Sequence, residues 1–578
     1  MKLSALALDY DGTITGRDDS LDPSIRRAIA DARATGITVL LVTGRILDEL
    51  RRVAGDLHFV DGVIAENGAI VHFPDSDHTT TLAPLVQTTF VEELRHRGIP
   101  HGAGLCLVDA DAHEAPRLLD VIRTLELPLV LLFNGGRVMT LSQGTSKATG
   151  LYAALYTLRL SAHNTVAIGD AENDHELLRL AEVGAAVEWG SPALRRAADS
   201  VITGPRPSAV AEYIGELTAT GRVPIPAKAR RTLRLGYRED GREFSLGVRG
   251  RNVLVAGDAK SGKSWVAGLF CEQLILHGYC VCIIDPEGDY RSLEALPGVT
   301  VLGGEDAPPA PRDLQRALRY PDRSVVIDLS RLRHDEKVEY IRAALPAINE
   351  IRHRTGLPHR IVVDEAHYFL HEAEARQLLD LERNGYIFVT YWASHLPQEL
   401  LAATEVMIIT RESSPAEIEA LRRWCSTCNG GDPTRWSLLR HLATGQAMAL
   451  PVTEEAKGEL VPFTLGPRLT PHVRHREKYV DVPITDERAF FFAANAHHPV
   501  RRARTLRQFV MELERPTADL AAYLQRGDFS RWIRDVFGDH TLANDVRALE
   551  DQHREKPDPD TLPEIVGAIR VRYDLPDE

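Results

Sequence analysis

Cysteine is scarce in this chain, with six in 578 residues, too few and too scattered for a disulfide framework. Long apolar runs are missing as well. The stretch from Ile37 to Val42 has the length of a strand, and nothing approaches the roughly 20 residues needed to span a bilayer, so no membrane association is expected. No basic stretch leads into an apolar run near Met1, which removes the signature of a signal peptide and makes the cytoplasm the expected location. Positive charge is not in excess: 82 acidic residues face 68 Lys and Arg, for a net charge of -14. That balance counts against a broad basic surface for nucleic acid, so DNA enters as a partner without support from charge. Internal repeats and long low-complexity tracts are absent too. What remains is a chain with 44% hydrophobic residues, enough for several cores, whose length suggests about three or four domains.

Apolar runs alternate with helical stretches from the start. A strand through Leu3 to Leu8 is followed by an Asp-rich loop, a helix from Pro23 to Thr35 and a strand from Ile37 to Val42. The alternation resumes from Thr145 to Ile202, with Asn164 to Ile168 as a strand. This is the pattern of a parallel sheet covered by helices. Between the two parts, residues 74–143 carry strand-like pieces of their own (Leu105 to Val108, Leu127 to Phe133, Val138 to Leu141) and read as an inserted α+β cap. A Pro-bearing stretch, residues 218–232, reads as a linker. Residues 233–470 form a second alternating series, with strands at Asn252–Ala256, Tyr279–Ile284, Ser324–Leu329, Arg360–Val363 and Tyr386–Thr390. Residues 471–578 turn mostly helical, with Phe529, Trp532, Ile533, Val536 and Phe537 on one face as packing core.

Leu8-Asp9-Tyr10-Asp11-Gly12-Thr13 ends an apolar strand with two carboxylates two residues apart, a spacing that puts both on one side of an extended chain. One can attack phosphorus while the other exchanges a proton with the leaving oxygen. A solvated acidic turn is the plainer alternative. The next strand, however, ends in Val42-Thr43-Gly44-Arg45, offering a hydroxyl and backbone donors. Lys147 supplies a cation, and a third strand ends in Gly169-Asp170-Ala171-Glu172-Asn173-Asp174. In open α/β sheets such groups converge beyond the carboxyl ends of the strands, and hard oxygen ligands beside a phosphate call for Mg²⁺.

Those four motifs, DYDGT, VTGR, the lysine of GTSKATGL and GDAEND, together with Glu66-Asn67-Gly68, resemble the haloacid dehalogenase (HAD) superfamily, and within it the Cof-type, sucrose-phosphatase-like branch. The resemblance covers about the first 215 residues and implies a Rossmann-like phosphatase domain, residues 1–217. It implies Asp9 as nucleophile, Asp11 as general acid and base, and Thr43 and Lys147 as phosphate binders. Mg²⁺ would be held by Asp9, the Asp11 carbonyl and Asp170, with Asn173 and Asp174 supporting Lys147 and the metal. Sugar phosphates are the expected substrate class. His101 and Arg137 of the cap are weak candidates for contact with the substrate.

Gly257-Asp258-Ala259-Lys260-Ser261-Gly262-Lys263-Ser264 follows a strand and precedes an apolar helix, the context that a phosphate-binding loop requires. Its backbone amides can wrap phosphates, Lys263 can neutralise the outer ones, and Ser264 can ligate Mg²⁺. A separate strand ends in Asp364-Glu365-Ala366-His367, where Asp364 would hold the metal and Glu365 would polarise an attacking water. Together with Asp285-Pro286-Glu287-Gly288-Asp289-Tyr290, these motifs resemble the HerA-type ATPases, relatives of the FtsK translocases. That resemblance implies ATP as ligand and a homo-oligomer, with a hexameric ring as the common form. His395 stands near the place where these ATPases often carry a sensing glutamine, and Arg411 is a weak candidate for an arginine acting across a subunit boundary.

The basic runs Arg230-Arg231, Arg422-Arg423 and Arg501-Arg502 are short enough to be solvated faces, and the His-and-Arg stretch from His472 to Arg476 reads as an exposed linker. Cys425 and Cys428 have metal-ligand spacing but no second pair nearby. Cys280 and Cys282 read as core. The combined expectation is a Mg²⁺-dependent phosphomonoester hydrolase, fused to an ATP-hydrolysing domain that regulates or assembles it. The alternative is a DNA-linked, ATP-driven translocase with an accessory phosphatase.

Overall fold

The computed structural model describes all residues except 17–19, 226–229, 249–250, 371–376, 425–432, 451–459, 472–479, 481–482, 485, 493–500, 516–519, 538, 574 and 576–578. The Cys425/Cys428 pair and the His472 to Arg476 stretch lie outside the described residues.

In the strand Ala5–Asp9 successive side chains face opposite sides. Leu6 and Leu8 join Ile25 and Ile29 of the helix Pro23–Ala34 in one layer. Ala5 and Ala7 meet Leu151 and Leu155 of the helix Lys147–Thr157 in the other. The small side chains on that second face let the helix come close, and a side chain at Gly150 would run into Ile64. The strand lies inside an eight-stranded sheet ordered Ser200–Ile202, Val183–Val187, Thr165–Gly169, Ala5–Asp9, Thr38–Val42, Gly62–Ala65, Ile70–Phe73, His78–Thr81. The first six are parallel, so their carboxyl ends share one edge, and the last two add an antiparallel hairpin.

That hairpin moves one expected boundary. His78–Thr81, placed within the cap by the sequence reading, pairs with Ile70–Phe73 in the core sheet. The cap has its own antiparallel sheet, ordered Gly102–Ala103, Val108–Asp111, Arg137–Ser142, Leu129–Asn134. The helices Thr88–His96 and Ala115–Thr124 pack on it through Phe90, Leu94, Leu118 and Val121. Ile46, Leu107, Met139 and Leu141 form the apolar seam between cap and core. Beside the seam, the buried Glu66 carboxylate accepts the amides of Leu105 and Cys106 at 2.9 and 2.7 Å, pinning the segment that enters the cap.

A second sheet of eleven strands contains seven parallel ones, ordered Val406–Ile409, Val253–Ala256, Tyr386–Thr390, Arg360–Val363, Val281–Asp285, Ser324–Asp328, Val299–Gly303. Four antiparallel strands extend it beyond Val406–Ile409. Val253 and Val255 face one layer and Leu254 and Ala256 the other. Cys280 and Cys282 are buried in it, as the sequence suggested.

The two parallel sheets meet at the amino ends of their strands. Asn164, just before Thr165–Gly169, accepts from His359 Nε2 at 3.1 Å. Tyr279, just before Val281–Asp285, donates to Glu182 at 2.9 Å, and the same carboxylate holds His163 at 2.8 Å. Ser4 donates to the Thr355 carbonyl at 3.3 Å. Arg230 and Arg231, expected to be solvated, are drawn into this seam. Arg230 donates to the carbonyls of Leu178 and Ala181, and Arg231 pairs with the buried Glu182 at 3.2 Å. An unpaired carboxylate buried there would be costly, which is what recruits the arginine.

The described residues after Val480 form the helical region, with helices between Leu506 and Tyr573 and a small sheet of Phe490–Phe492 and Arg501–Ala503. Phe529, Trp532, Ile533 and Phe537 are buried in its aromatic core, with Val536 packed against them. Among the described residues no helix is long and apolar enough to cross a membrane.

Candidate functional site

The carboxyl edge of the first sheet gathers four charged groups from two strand ends and one helix. Asp9 closes its strand and is buried, with Lys147 Nζ 2.6 Å from Oδ1 and Thr13 Oγ1 donating to Oδ2 at 3.0 Å. Lys147 opens the helix Lys147–Thr157, whose first turn is capped by the Ser146 hydroxyl. Its ammonium also touches Asp174 Oδ1 at 2.6 Å. The other Asp174 oxygen accepts the amides of Asp170 and Ala171 at 3.0 Å, bending the loop back over the strand end. Gly12 has φ +77°, and a side chain there would collide with the Asp170 carboxylate.

Burial and the neighbouring Asp174 charge push the Asp9 carboxyl well above the usual carboxylate range. The same two causes raise Asp170 to about 6. Burial on its own would lower Lys147, but the charges of Asp174 and Asp9 outweigh it and hold the ammonium above its ordinary value. Three acids against one buried cation leave an excess of negative charge that a divalent ion would relieve. Asp9, Asp170 and Asp174 each offer an oxygen, and the three oxygens lie within 4.8 Å of one another. This is a hard donor set of the kind Mg²⁺ takes, so the residues fit such an ion.

Asp11 stands apart from that triad. Arg45 Nε lies 2.8 and 2.9 Å from its two carboxylate oxygens, and Thr43 Oγ1 is 3.4 Å from Oδ2. The side chain of Asp11 therefore belongs to a second pole, with Thr43 and Arg45, facing the metal-type cluster. Asn173 donates to Asn67 Oδ1 at 3.1 Å between the two poles. Of the cap candidates, His101 is tied to the Ile99 carbonyl at 2.7 Å, and Arg137 pairs with Asp109 within the cap.

The second site lies at the carboxyl edge of the other sheet. Gly257 has φ +144°, and a side chain there would strike Thr410, so the loop can turn only with glycine at that position. Lys263 Nζ reaches back to the Asp258 carbonyl at 2.8 Å, and Ser261 Oγ meets Thr410 Oγ1 at 2.5 Å. Ser264 donates to Asp289 at 2.8 Å. The carboxylate of Asp285 caps the amides of Gly288, Asp289 and Tyr290 at 2.7, 3.0 and 2.9 Å, and burial followed by the Asp289 charge raises it to about 8. Asp364 and Glu365 are buried at the end of Arg360–Val363, and His367 Nδ1 lies 3.8 Å from Glu365.

His395 ends an exposed turn and rests on Trp392, ring centroids 4.5 Å apart, while the buried His367 bonds Thr390 at the strand end. Arg411 lies 3.6 Å from Asp258 of its own chain's loop. The sequence reading also passed over Arg45, Asp289 and Arg488. The first two stand inside motifs it quoted, whereas Arg488 carries no local signal.

Residues 6–111 and 129–214 match the model of a family described as haloacid dehalogenase-like hydrolase. Residues 249–355 match that of the central domain of helicase HerA. A phosphoglycolate phosphatase of Methanopyrus kandleri is 30% identical over 225 residues, 37% of this chain and 97% of the relative. One of Natronomonas pharaonis is 32% identical over 209 residues, 34% of this chain and 91% of the relative. Among solved structures, a haloacid dehalogenase-like hydrolase from Bacteroides thetaiotaomicron covers 37% of this chain and all of its own, with 17% identity and a TM-score of 0.34.

Proposed function

Since the chain belongs, in its N-terminal part, to the haloacid dehalogenase-like hydrolases, we propose that this part is a Mg²⁺-dependent phosphomonoesterase working through an aspartyl phosphate. The observation that carries the reading is the cluster of buried Asp9, Lys147 and Asp174 with half-buried Asp170 at the sheet edge. A bound Mg²⁺ would neutralise phosphate charge and let an anionic nucleophile approach. Asp9, Asp170 and Asp174 would hold it.

An oxygen of Asp9 attacks phosphorus, and the bond from phosphorus to the ester oxygen breaks. Asp11, as a carboxylic acid, gives its proton to the departing oxygen, which leaves as an alcohol. Water then attacks the aspartyl phosphate, and Asp11 takes its proton. The bond between phosphorus and Asp9 breaks, releasing inorganic phosphate and restoring the carboxylate. Lys147 and the Thr43 hydroxyl hold the phosphate oxygens. Arg45 orients Asp11 until substrate takes its place.

The relatives are named phosphoglycolate phosphatases, which supports 2-phosphoglycolate as an ester to test beside the sugar phosphates expected from the sequence. The second site, residues 257–264 with Asp364 and Glu365, binds and hydrolyses ATP in the same reading. Ring assembly around it is a matter for light scattering. The DNA-linked alternative loses ground because basic runs offered to a DNA backbone are tied to carboxylates: Arg231 to Glu182, Arg422 to Glu419, Arg501 to Glu512 and Arg502 to Asp486.

The test is phosphate release from 2-phosphoglycolate and a panel of sugar phosphates, with Mg²⁺ and with a chelator. Wild type is expected to hydrolyse at least one ester only with the metal. Asp9→Asn should lose about 10³-fold or more in kcat. Full activity in Asp9→Asn on every ester would sink the assignment.

A further inference from the structure

The C-terminal helical region sits on the phosphate-binding loop. Ala259 packs against its aromatic core, and Lys260 Nζ lies 5.9 Å from the ring centre of Phe537. Tyr391, just past the strand Tyr386–Thr390, donates to the Pro483 carbonyl at 3.0 Å, and Arg504 lies 6.0 Å from the Trp392 ring centre. The region therefore touches both the loop and the strand end that faces it.

Arg488 is the residue this packing delivers. It closes the turn Asp486–Arg488, and its carbonyl accepts the Trp532 indole N–H at 2.8 Å, so the backbone position is fixed by the aromatic core. Its Nη2 lies 3.2 Å from Asp258 Oδ2 and donates to Ser413 Oγ at 3.4 Å. Asp258 is the second residue of the loop, with its side chain only 7% exposed. A carboxylate there is a like charge beside incoming phosphate and needs a cation.

The position along the loop follows from Lys263. Its ammonium bonds the Asp258 carbonyl at 2.8 Å, and the lysine of such a loop reaches the β- and γ-phosphates. Asp258, and with it Arg488, thus lies toward the outer end of a bound triphosphate. Arg411 faces the same Asp258 oxygen from farther away, 3.6 Å, and its side chain is the more exposed of the two, 43% against 31%.

We infer that Arg488 is a nucleotide-binding residue supplied in cis by the C-terminal region, its guanidinium passing from Asp258 to the terminal phosphate when ATP binds. This rests on the reading of residues 257–264 as an ATP site. It gives the C-terminal region a role in distinguishing triphosphate from diphosphate, since only the triphosphate presents the group Arg488 meets.

The experiment is isothermal titration of the full chain with adenylyl imidodiphosphate and with ADP, each with Mg²⁺. Wild type, Lys263→Ala, Arg488→Ala, Arg488→Lys and Trp532→Phe are compared. Arg488→Ala is expected to weaken the triphosphate analogue about 10- to 100-fold while ADP binding stays within about twofold. Arg488→Lys should recover part of that loss, and Trp532→Phe should show a smaller effect in the same direction. Equal affinity of Arg488→Ala and wild type for the analogue overturns the inference. So does an equal loss for both nucleotides, which would make Arg488 a prop for the loop. If wild type binds neither nucleotide, the ATP reading fails and takes this inference with it. Binding abolished by Lys263→Ala but untouched by Arg488→Ala overturns the inference alone.

Discussion

At the scale of single residues, Lys147 holds the first site together. Its ammonium is almost wholly buried and lies 2.6 Å from both Asp9 and Asp174. Removing it leaves two carboxylates facing each other without a cation. Lys147→Met is therefore expected to destabilise the protein by about 3 kcal/mol near neutral pH, read from urea unfolding. The double variant Lys147→Met/Asp174→Asn should recover a good part of the loss. A loss in the double variant equal to the sum of the single changes would mean that the lysine acts by packing alone. These residues were legible in the sequence because each stands at or just past a strand end or opens a helix, where chain geometry alone sends it to the sheet edge. The pairings of Arg45 with Asp11 and of Arg488 with Asp258 were not, since their partners come from segments that only tertiary packing brings together.

At the scale of elements, the seam between the two sheets carries a proton-dependent contact. His359 Nδ1 accepts the Cys280 amide at 2.8 Å, so the imidazole must be neutral, with its proton on Nε2 facing Asn164. Burial, followed by the neighbouring His163, Arg360 and Arg352, pushes its pKa well below the ordinary histidine value. The unfolded chain then binds a proton below about pH 6.5 that the folded chain refuses. Stability falls as the pH drops through that range, by about 1.4 kcal/mol per pH unit from this group. Thermal unfolding at pH 7.5 and 5.5 should show a smaller difference in His359→Gln than in wild type. An unchanged difference would remove His359 from the account. The strands themselves could be read from hydrophobic runs, but this seam could not. Arg230 and Arg231 looked like a solvated linker because nothing local marks Glu182 as a buried carboxylate needing a cation. The cap boundary moved for a related reason: the segment from Ile70 to Thr81 is a hairpin, and a hairpin joins whichever sheet offers an open edge.

At the scale of the whole molecule, the two sites keep separate residues, and the expected outcome is separate loss. Asp9→Asn should abolish ester hydrolysis and leave ATP hydrolysis within about twofold, and Lys263→Ala should do the reverse. Measuring phosphate release from each substrate in both variants checks this, and a variant that lost both activities would point to one shared site. Because the sheets join at the amino ends of their strands, their carboxyl edges face away from each other. Two strands of five residues at about 3.3 Å each put more than about 30 Å between the sites. A molecule released from one mouth is diluted into the surrounding solution before it can arrive at the other. An enzyme added to the medium that consumes the product would therefore intercept nearly all of it.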